Sequence, residues 1–587
     1  VLGVAAAVLG ALLLRRPAPL AEPLQFSIAA PSGTSFNFVG EEVAGPPALS
    51  PDGRWLVFTA TDGTGKSLLW LRAMDSVQIK PLSGTDNASH PFWSPDNRFI
   101  GFFAEGKLKK VDVAGGAPEI VCPYGSTLWN GGGTWASDGT ILFAATVLQR
   151  VAASGGTPQP VTRTDPARVH LWPSFLPDGE HFLYLSLSRD PRGDASQDGI
   201  YVGSLASKDS RRILRYSSKS AYVPSGHLLA VSDGNLLAVP FDVRKLETTG
   251  QPFQVADRLG SDLRLHGAFF TVSSTGILAY QTSDAAPGLA QLTWFDRSGN
   301  RLGTVGEPRV YEGVRRSPDG RRAAVEVWRE GLSKEIWLVE FSAGLGQRIT
   351  SGGWAESPAW CPDGRRIAYA AELSPGRYEI REKNLAESGR EEALFRGERY
   401  DWTGDWSSDG HSILLTSLKP GSGQRFFLSL LSLPERKVTP WLVTEADERD
   451  PVFSPDGRWE AHGSNESGLY EIYVRPFPGP GGRWQMSRSA GSQARWRGDG
   501  RELFYLSSDG RVMSVEAKAT PSGFEAGPPK VLFEAPVAKP VLYPSARFDV
   551  SADGQRFLIA CPVGGPSSPP LTVMVNWREG LAKTATR

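Results

Sequence analysis

The sequence predicts an all-β chain that folds as two tandem six-bladed β-propellers after a short N-terminal hydrophobic segment. Three observations predict this fold class. A tight-turn pattern recurs twelve times, its spacing lies in the forties of residues, and no stretch after Leu14 has a convincing amphipathic helical period. A chain of 587 residues is also long enough for two large all-β domains.

The repeated unit is a strand, a turn spelled Ser-Pro-Asp-Gly or a variant of it, and a second, apolar strand. The step from Asp52 to Asp96, like the later steps between Asp319 and Asp499, matches the length of a four-stranded propeller blade. The twelve turns begin at Ser50, Ser94, Ala136, Leu176, Val223, Ser273, Ser317, Cys361, Ser407, Ser454, Arg497 and Ser551.

The residues of the turn explain its geometry. Proline presets φ near −65° at the first corner, aspartate bonds nearby backbone amides, and glycine takes the positive φ that returns the chain antiparallel. The flanking segments, such as Trp55–Phe58 and Glu502–Tyr505, have the composition of strands. The turns are therefore interpreted as structural rather than catalytic.

Two rings of six are favoured over one ring of twelve, because propellers usually have four to eight blades. Leu292–Asp296 and Leu571–Trp577 are similar motifs, and each follows the sixth repeat of its half. We expect Leu24–Ile28 and Arg301–Val305 to supply the outer strands that close the rings. The alternative keeps residues 292–305 as one hairpin of the sixth blade. The predicted domains are 24–300 and 301–580, with a tail over 581–587.

The N-terminal segment is apolar. Residues 1–14 are all apolar or glycine, and a Pro-rich linker over 15–23 contains Arg15 and Arg16. A helix of this length spans about 21 Å, less than the roughly 30 Å of a bilayer core. We therefore predict the distal part of a transmembrane helix or anchor, with a signal-peptide core as the alternative.

Composition excludes several function classes. The chain has 63 Lys plus Arg and 63 Asp plus Glu, which argues against a nucleic-acid partner. Its three cysteines are widely spaced, and its seven histidines lack metal-ligand spacing, so we expect no disulfide framework, no metal site and no cofactor. Thr64–Ser67 lacks the first glycine of a phosphate loop, and Gly463–Gly468 lacks the spacing of a nucleophile elbow.

The repeats resemble the TolB-like, WD-like propeller repeats of bacteria over roughly residues 24–580. Residues 471–486 with 495–505, together with 548–558 and 571–577, resemble the extracytoplasmic C-terminal region of bacterial eukaryotic-like Ser/Thr kinases. That resemblance implies a membrane-anchored chain with its propellers in the periplasm or outside the cell. The sequence contains no kinase Gly-rich loop, catalytic loop or Asp-Phe-Gly motif.

Candidate ligand-binding residues lie a few positions before the first strand of each blade. The longer loops, such as 188–199 and 418–424, connect second to third strands, so variation is expected on one face around the channel mouth. Residues predicted to rim that mouth are His90, Asn130, His170, His266, Tyr311, Glu356, Asp401 and Arg449. Ordinary polar loop residues are the alternative interpretation.

The function expected from the sequence is non-enzymatic, because no catalytic motif is found. We expect a sensor or scaffold module that binds a protein, a peptide or an envelope glycan, and the resemblance implies the sensor half of a receptor-like Ser/Thr kinase. The alternative is a propeller-type hydrolase or lyase with carboxylates in the channel.

Overall fold

The computed structural model describes residues 23–577 with internal gaps. The longer gaps are 39–44, 125–130, 189–194, 283–288, 387–390, 419–425, 538–546 and 564–568. The shorter gaps are 63–65, 146, 164, 166–167, 263–265, 330–332, 345, 352–353, 375–376, 398, 480, 489 and 521–522. Residues 1–22 and 578–587, which include the apolar segment and the tail, lie outside the described residues.

The predicted all-β class is confirmed, since the described strands form twelve antiparallel sheets of four or five strands. We call the strand just before the repeated turn the first strand of its sheet. The sheets are numbered as blades in the chain order of these first strands. Blade 1 has Thr34–Phe36, Ala48–Leu49, Trp55–Asp62, Ser67–Ala73 and Ile79–Pro81. Blade 2 has Ser89–Trp93, Phe99–Ala104, Lys107–Asp112 and Glu119–Pro123. Blade 3 has Gly133–Trp135, Thr140–Ala144, Leu148–Ala152 and Gln159–Pro160.

The rest of the first ring follows the same order. Blade 4 has Arg168–Phe175, His181–Ser188, Gly199–Ser204 and Ser210–Leu214, with a short 3₁₀ turn at Ala195–Gln197. Blade 5 has Ser220–Val223, His227–Ser232, Asn235–Asp242, Glu247–Thr248 and Phe253–Ala256. Blade 6 has Phe270–Val272, Leu278–Gln281, Leu571–Val575 and Leu24–Ile28, and a separate pair joins Ser261–Asp262 to Gly267–Ala268.

The second ring begins with blade 7, which has Tyr311–Arg316, Arg322–Arg329, Ser333–Glu340 and Gly346–Arg348. Blade 8 has Trp354–Trp360, Arg366–Ser374, Arg377–Asn384 and Glu391–Gly397, and blade 9 has Asp401–Trp406, Ser412–Leu418, Phe426–Ser432 and Lys437–Leu442. Blade 10 has Glu448–Phe453, Trp459–Ser464, Glu471–Pro476 and Trp484–Gln485. Blade 11 has Gly491–Trp496, Glu502–Ser507, Arg511–Thr520, Gly523–Ala526 and Lys530–Glu534. Blade 12 has Phe548–Val550, Arg556–Pro562, Ala290–Asp296 and Arg301–Arg309.

Each set of six blades closes into a ring through its first strands. The first strand of every blade contacts the first strand of the next. Ala48–Leu49 contacts Phe270–Val272, and Tyr311–Arg316 contacts Phe548–Val550, which joins the last blade of each ring to the first. Hydrophobic clusters fill the spaces between neighbouring blades, as where Val57 and Leu71 of blade 1 meet Trp93 of blade 2. The first strands therefore surround the central channel of each ring.

The two rings exchange one strand. In each ring, the third strand of the last blade comes from the other half of the chain. Leu571–Val575 lies in blade 6 of the first ring, between Leu278–Gln281 and Leu24–Ile28. Ala290–Asp296 lies in blade 12 of the second ring, between Arg556–Pro562 and Arg301–Arg309. The expectation that each motif completes the sixth blade of its own half is wrong. The expected outer strands Leu24–Ile28 and Arg301–Val305 do occupy outer positions, while the boundary near residue 300 stays a prediction.

The repeated turn is closed by its serine as well as its aspartate. In the first turn Ser50 Oγ donates to Asp52 Oδ1 at 2.6 Å and accepts from the Trp55 amide at 2.9 Å. Asp52 Oδ1 also accepts from the Arg54 amide at 3.0 Å, and Gly53 has a φ of 75°. The same Ser-to-Asp bond recurs in the turns that begin at Ser94, Ser317, Ser407, Ser454 and Ser551. These contacts support the structural interpretation of the turns.

Candidate functional site in the channel of the second ring

The first strands are bulged near their middle. Their registers shift between Ser89 and Phe92, Leu171 and Ser174, Glu356 and Ala359, Arg449 and Val452, and Ser492 and Arg495. A residue other than glycine has positive φ at each of these places: His90, Trp172, Ser357, Asp450 and Gln493. A bulge re-aims side chains, and bulges often lie beside functional sites.

The two rings differ in charge at one fixed position of these strands. Two residues before the turn, four blades of the second ring carry a charged residue: Arg315, Asp405, Arg495 and Asp549. The same position in the first ring is uncharged in every blade: Ala48, Phe92, Thr134, Ser174, Ala221 and Thr271. Charge at this position of the first strands is therefore confined to the second ring.

The charged residues of the second ring converge from different blades. Arg495 of blade 11 lies within electrostatic reach of Arg315, Asp549, Asp450 and Asp405, which come from four other blades. Such groups approach one another only if they face the ring axis. We call these five residues the axial cluster.

Two carboxylates of the axial cluster join neighbouring blades. Asp405 Oδ2 accepts from the Phe453 amide of blade 10 at 2.9 Å. Asp549 Oδ2 accepts from the Arg316 amide of blade 7 at 2.6 Å. Arg315 Nη2 donates to the Gly404 carbonyl at 3.1 Å. These three residues therefore have structural contacts that hold the ring closed.

The other two members keep unused hydrogen-bonding capacity. Arg495 is buried, and its Nη2 has no hydrogen-bond partner among the described residues. Its Nε lies 3.6 Å from Asp549 Oδ1. Asp450 is half-buried, its backbone amide donates to Thr416 Oγ1 at 3.2 Å, and burial raises the pKa of its carboxyl to about 6. Unpaired buried polar groups are costly, so they are typical of sites that receive a ligand.

A second group of buried charges joins blade 7 to blade 8. Lys334 Nζ is 2.7 Å from both Glu312 Oε2 and Glu356 Oε2. Glu356 Oε1 in turn accepts from Tyr400 Oη and Trp402 Nε1, both at 2.7 Å. The buried charges are tolerable here because each charged group is paired and hydrogen-bonded.

Glu326 lies next to this network without sharing its pairing. It is 2% exposed, its Oε1 accepts from the Ser357 amide at 3.0 Å, and its Oε2 has no hydrogen-bond partner among the described residues. The pKa of its carboxyl is raised to about 8, mainly by burial; Lys334 acts to lower this pKa, and Glu356 and Glu312 act to raise it. Gly313 leaves room for this carboxyl, since a Cβ there would collide with Glu326 Oε1.

A cavity joins Glu326 to the axial cluster. The space free of protein atoms in and around it is about 350 Å³, a volume that includes open solvent. Its lining residues are Gly313, Val314, Arg315, Glu326, Ser357, Trp402, Thr403, Gly404, Thr416 and Asp450. Thr403 Oγ1 donates to the Ser357 carbonyl and fixes one wall. The cavity therefore presents an acid at its buried end and another nearer the axis.

The channel of the first ring is built differently. Lys219 Nζ donates to the Phe270 carbonyl at 2.8 Å and lies 6.0 Å from the Trp172 ring centroid. His90 packs 5.5 Å from the same tryptophan ring. Burial lowers the pKa of Lys219 to about 7. This channel is aromatic and weakly basic.

Most residues predicted to rim the channels are packed inside the blades. His90, His170, Tyr311, Glu356, Asp401 and Arg449 are all buried, while His266 is half-buried and Asn130 lies outside the described residues. Among them, His170 bonds Thr162 and packs on Tyr184, and Arg449 stacks on Phe426 at 4.0 Å. Glu356 binds Trp402, a lining residue of the cavity, and Arg449 precedes Asp450 in the chain. Their role in ligand binding stays a prediction.

The axial cluster and Glu326 were missed from sequence. A usable signal existed for four of the five cluster residues, because a charged residue stands two places before the turn in four blades of the second ring and in none of the first. Glu326 gave no signal, because the burial of its carboxyl and the missing partner of Oε2 depend on packing between blades.

Two searches of the described part of the chain were negative. It contains no group of three or more His, Cys, Asp or Glu residues that could hold a metal ion. None of its helices is long and apolar enough to cross a membrane. The predicted anchor segment 1–14, half of the loop 188–199 and most of the loop 418–424 lie outside it.

Comparisons with known proteins give partial matches. No family model matches the chain. It is 31% identical over 166 residues to the uncharacterized peptidase YuxL of Bacillus subtilis, covering 28% of this chain and 23% of that protein. It is 36% identical over 90 residues to the Tol-Pal system protein TolB of Alcanivorax borkumensis, covering 14% of this chain and 20% of that protein. The chain thus spans about a fifth to a quarter of the length of these curated relatives.

A putative TolB from Agrobacterium tumefaciens is similar in structure, with a TM-score of 0.39 and 18% identity over 47% of this chain and 99% of that one. A score this low adds nothing beyond the fold that the sheets already establish. The twelve repeats and the sequence match to TolB confirm the resemblance: the chain is a repeat protein similar to the TolB-like β-propellers.

Proposed function

We propose that the second ring is a non-enzymatic recognition module that binds a peptide or protein segment in its channel, as a sensor or scaffold. The observation that carries the proposal is the cavity between Glu326 and Asp450, where the buried Glu326 Oε2 has no hydrogen-bond partner among the described residues. A ligand that supplies that partner gains a hydrogen bond in a site already desolvated.

Charge distribution supports this choice of ring. The axial cluster offers both guanidinium and carboxylate groups, which suit the alternating donors and acceptors of a peptide. The corresponding positions of the first ring are uncharged. The balanced net charge of the chain does not favour a polyanion such as nucleic acid.

The proposal is tested with a random peptide library displayed on phage and selected on the immobilised protein. We expect enriched peptides whose binding is weakened by Asp450→Asn and Arg495→Gln. The matched controls Glu435→Gln and Arg54→Gln alter exposed residues and should leave binding unchanged. Melting temperatures identify variants that fail to fold.

Hydrogen exchange locates the bound peptide. Protection is expected at Asp401–Trp406 and Glu448–Phe453, the first strands that line the cavity. A footprint on the Pro-Asp-Gly turns, on the first ring, or an absence of enriched peptides would contradict the proposal.

We further propose an extracytoplasmic location with a membrane tether, as the sensor half of a receptor-like Ser/Thr kinase. The resemblance of residues 471–486 and 495–505 and the apolar segment 1–14 support this context. The genomic sequence upstream of Val1 tests it. A kinase domain followed by a single hydrophobic helix is expected there, and an upstream stop codon or an unrelated domain would contradict it.

An enzymatic function is the second candidate, and one feature of the cavity favours it. Asp450 and Glu326 line the same space, and burial raises the pKa values of the two carboxyls to about 6 and about 8. Pairs of acids with separated pKa values often serve as base and acid. Hydrolysis or elimination of generic peptide and glycan substrates that disappears in Asp450→Asn, with its melting temperature unchanged, would establish this function instead.

A further inference from the structure

The residues that line the cavity of the second ring favour one kind of ligand group. We propose that it receives a primary ammonium group of a peptide, either a lysine side chain or a free N-terminus, which lies between Glu326 and Asp450. This inference deepens the proposed function and rests on it.

The first argument is the unused acceptor. Glu326 Oε2 is buried, lines the cavity, and has no hydrogen-bond donor among the described residues. Its twin Oε1 is fixed by the Ser357 amide at 3.0 Å, so the carboxyl cannot rotate freely to satisfy Oε2 elsewhere. When this carboxyl is ionised, the missing partner is a donor that comes from outside the protein.

The second argument is charge. The cationic groups near Glu326 are already committed: Lys334 is held by Glu312 and Glu356, and Arg315 donates to Gly404 and lies near Asp405 and Asp450. Among the residues that line the cavity, two carry a carboxyl group, Glu326 and Asp450, and one carries a cation, Arg315. A positively charged ligand group relieves this imbalance, whereas a carboxylate or phosphate would increase it.

The third argument is size. Apart from open solvent, the whole cavity has room for about one water-sized group. An ammonium is a compact point charge with three donors, whereas a guanidinium is a broad planar fork. Ser357, Thr403 and Thr416 supply further oxygen atoms around the cavity, so three donors can be satisfied at once.

Binding of a cation has a proton signature. Because the pKa of Glu326 is raised to about 8, its carboxyl is mostly protonated at pH 7. An ammonium beside it favours the ionised form, so the proton leaves as the ligand enters. The other groups that face Glu326 are Lys334, Glu312 and Glu356, which are paired with one another before and after binding.

The test uses four capped tripeptides and isothermal titration calorimetry on the full chain. The probes are acetyl-Ala-Lys-Ala-amide, Ala-Ala-Ala-amide with a free N-terminus, acetyl-Ala-Arg-Ala-amide and acetyl-Ala-Met-Ala-amide. We expect binding of the lysine or the free-N-terminus peptide, and little binding of the arginine and methionine peptides. Comparing the two amine probes distinguishes the two sources of the ammonium.

Variants and buffers complete the test. Glu326→Gln keeps the acceptor for the Ser357 amide but loses the charge, and should weaken amine binding by about tenfold or more. Titrations at pH 7 in buffers of different ionisation enthalpy should show proton release approaching one per ligand in the wild type and none in Glu326→Gln. Glu435→Gln, an exposed change, should behave as wild type.

The outcomes separate this inference from the function on which it rests. Equal binding of all four probes, or amine binding unaffected by Glu326→Gln, would overturn the ammonium site and leave peptide recognition standing. Failure of both amine probes while library-selected peptides still bind in the channel would also overturn it. Failure of every peptide, selected ones included, would remove the proposed function itself.

Discussion

The exchange of strands between the rings predicts that a mutation in an exchanged strand destabilises the ring formed by the other half of the chain. Leu571 and Leu292 are both fully buried, and each lies in a hydrophobic cluster of the other half of the chain. Leu571 packs with Ile28, Phe36 and Phe58 of the first ring. Truncating a buried leucine to alanine costs about 2–5 kcal/mol, a large share of the stability of one domain.

The perturbations are therefore Leu571→Ala and Leu292→Ala, followed by urea unfolding and by hydrogen exchange with mass spectrometry. Leu571→Ala should accelerate exchange in Leu24–Ile28 and Leu278–Gln281, the two strands that pair with its own. Leu292→Ala should accelerate exchange in Arg556–Pro562 and Arg301–Arg309. Each loss of stability should fall within about 2–5 kcal/mol.

Leu302→Ala is the matched control for this pair. Leu302 lies in a strand adjacent to Ala290–Asp296, but it is 53% exposed, so its truncation should change stability by no more than about 0.5 kcal/mol. Deletion of residues 1–30 removes Leu24–Ile28 and should reproduce the exchange pattern of Leu571→Ala. Faster exchange of Phe548–Val550 and Arg556–Pro562 in Leu571→Ala would refute the exchange of strands.

Three further predictions concern the turns and the buried charges. Gly457→Val should cost about 1–2 kcal/mol or more in urea unfolding, because φ is 68° there, and Asp456→Ala should cost less, since it removes only local bonds. Because the pKa of Glu326 rises from 4.5 to about 8 on folding, the wild type should lose stability relative to Glu326→Gln as pH rises through this window, and parallel pH profiles would contradict the assignment. Because burial lowers the pKa of Lys219 from 10.5 to about 7, unfolding free energy should rise between pH 7 and 10 in the wild type but not in Lys219→Met.

The Asp-Gly turns form through local interactions alone, so their structure can be predicted from the sequence. Every contact that closes the Ser454 turn lies within residues 454–459, including the Ser454 Oγ to Asp456 Oδ1 bond of 2.6 Å. Interactions over five residues depend little on the rest of the chain. The sequence alone therefore determined the twelve repeats, the four-stranded blades and their all-β class.

The partners of the closing strands required the tertiary structure. Leu292-Thr293-Trp294-Phe295 and Leu571-Thr572-Val573-Met574 have the same alternation of residues, and backbone hydrogen bonds do not distinguish one partner strand from another. Which ring each strand completes is decided by the packing of Leu292 and Leu571 against clusters in the other half of the chain.

The candidate site depended on tertiary structure for the same reason. The charges of Arg315, Asp405, Arg495 and Asp549 can be read from their fixed place before each turn, but their convergence follows from ring closure. The bulges at Ser357 and Asp450 shift the register of the first strands and decide which side chains face the cavity. The unpaired oxygen of Glu326 exists only because the surrounding blades remove it from water, which no local pattern of residues records.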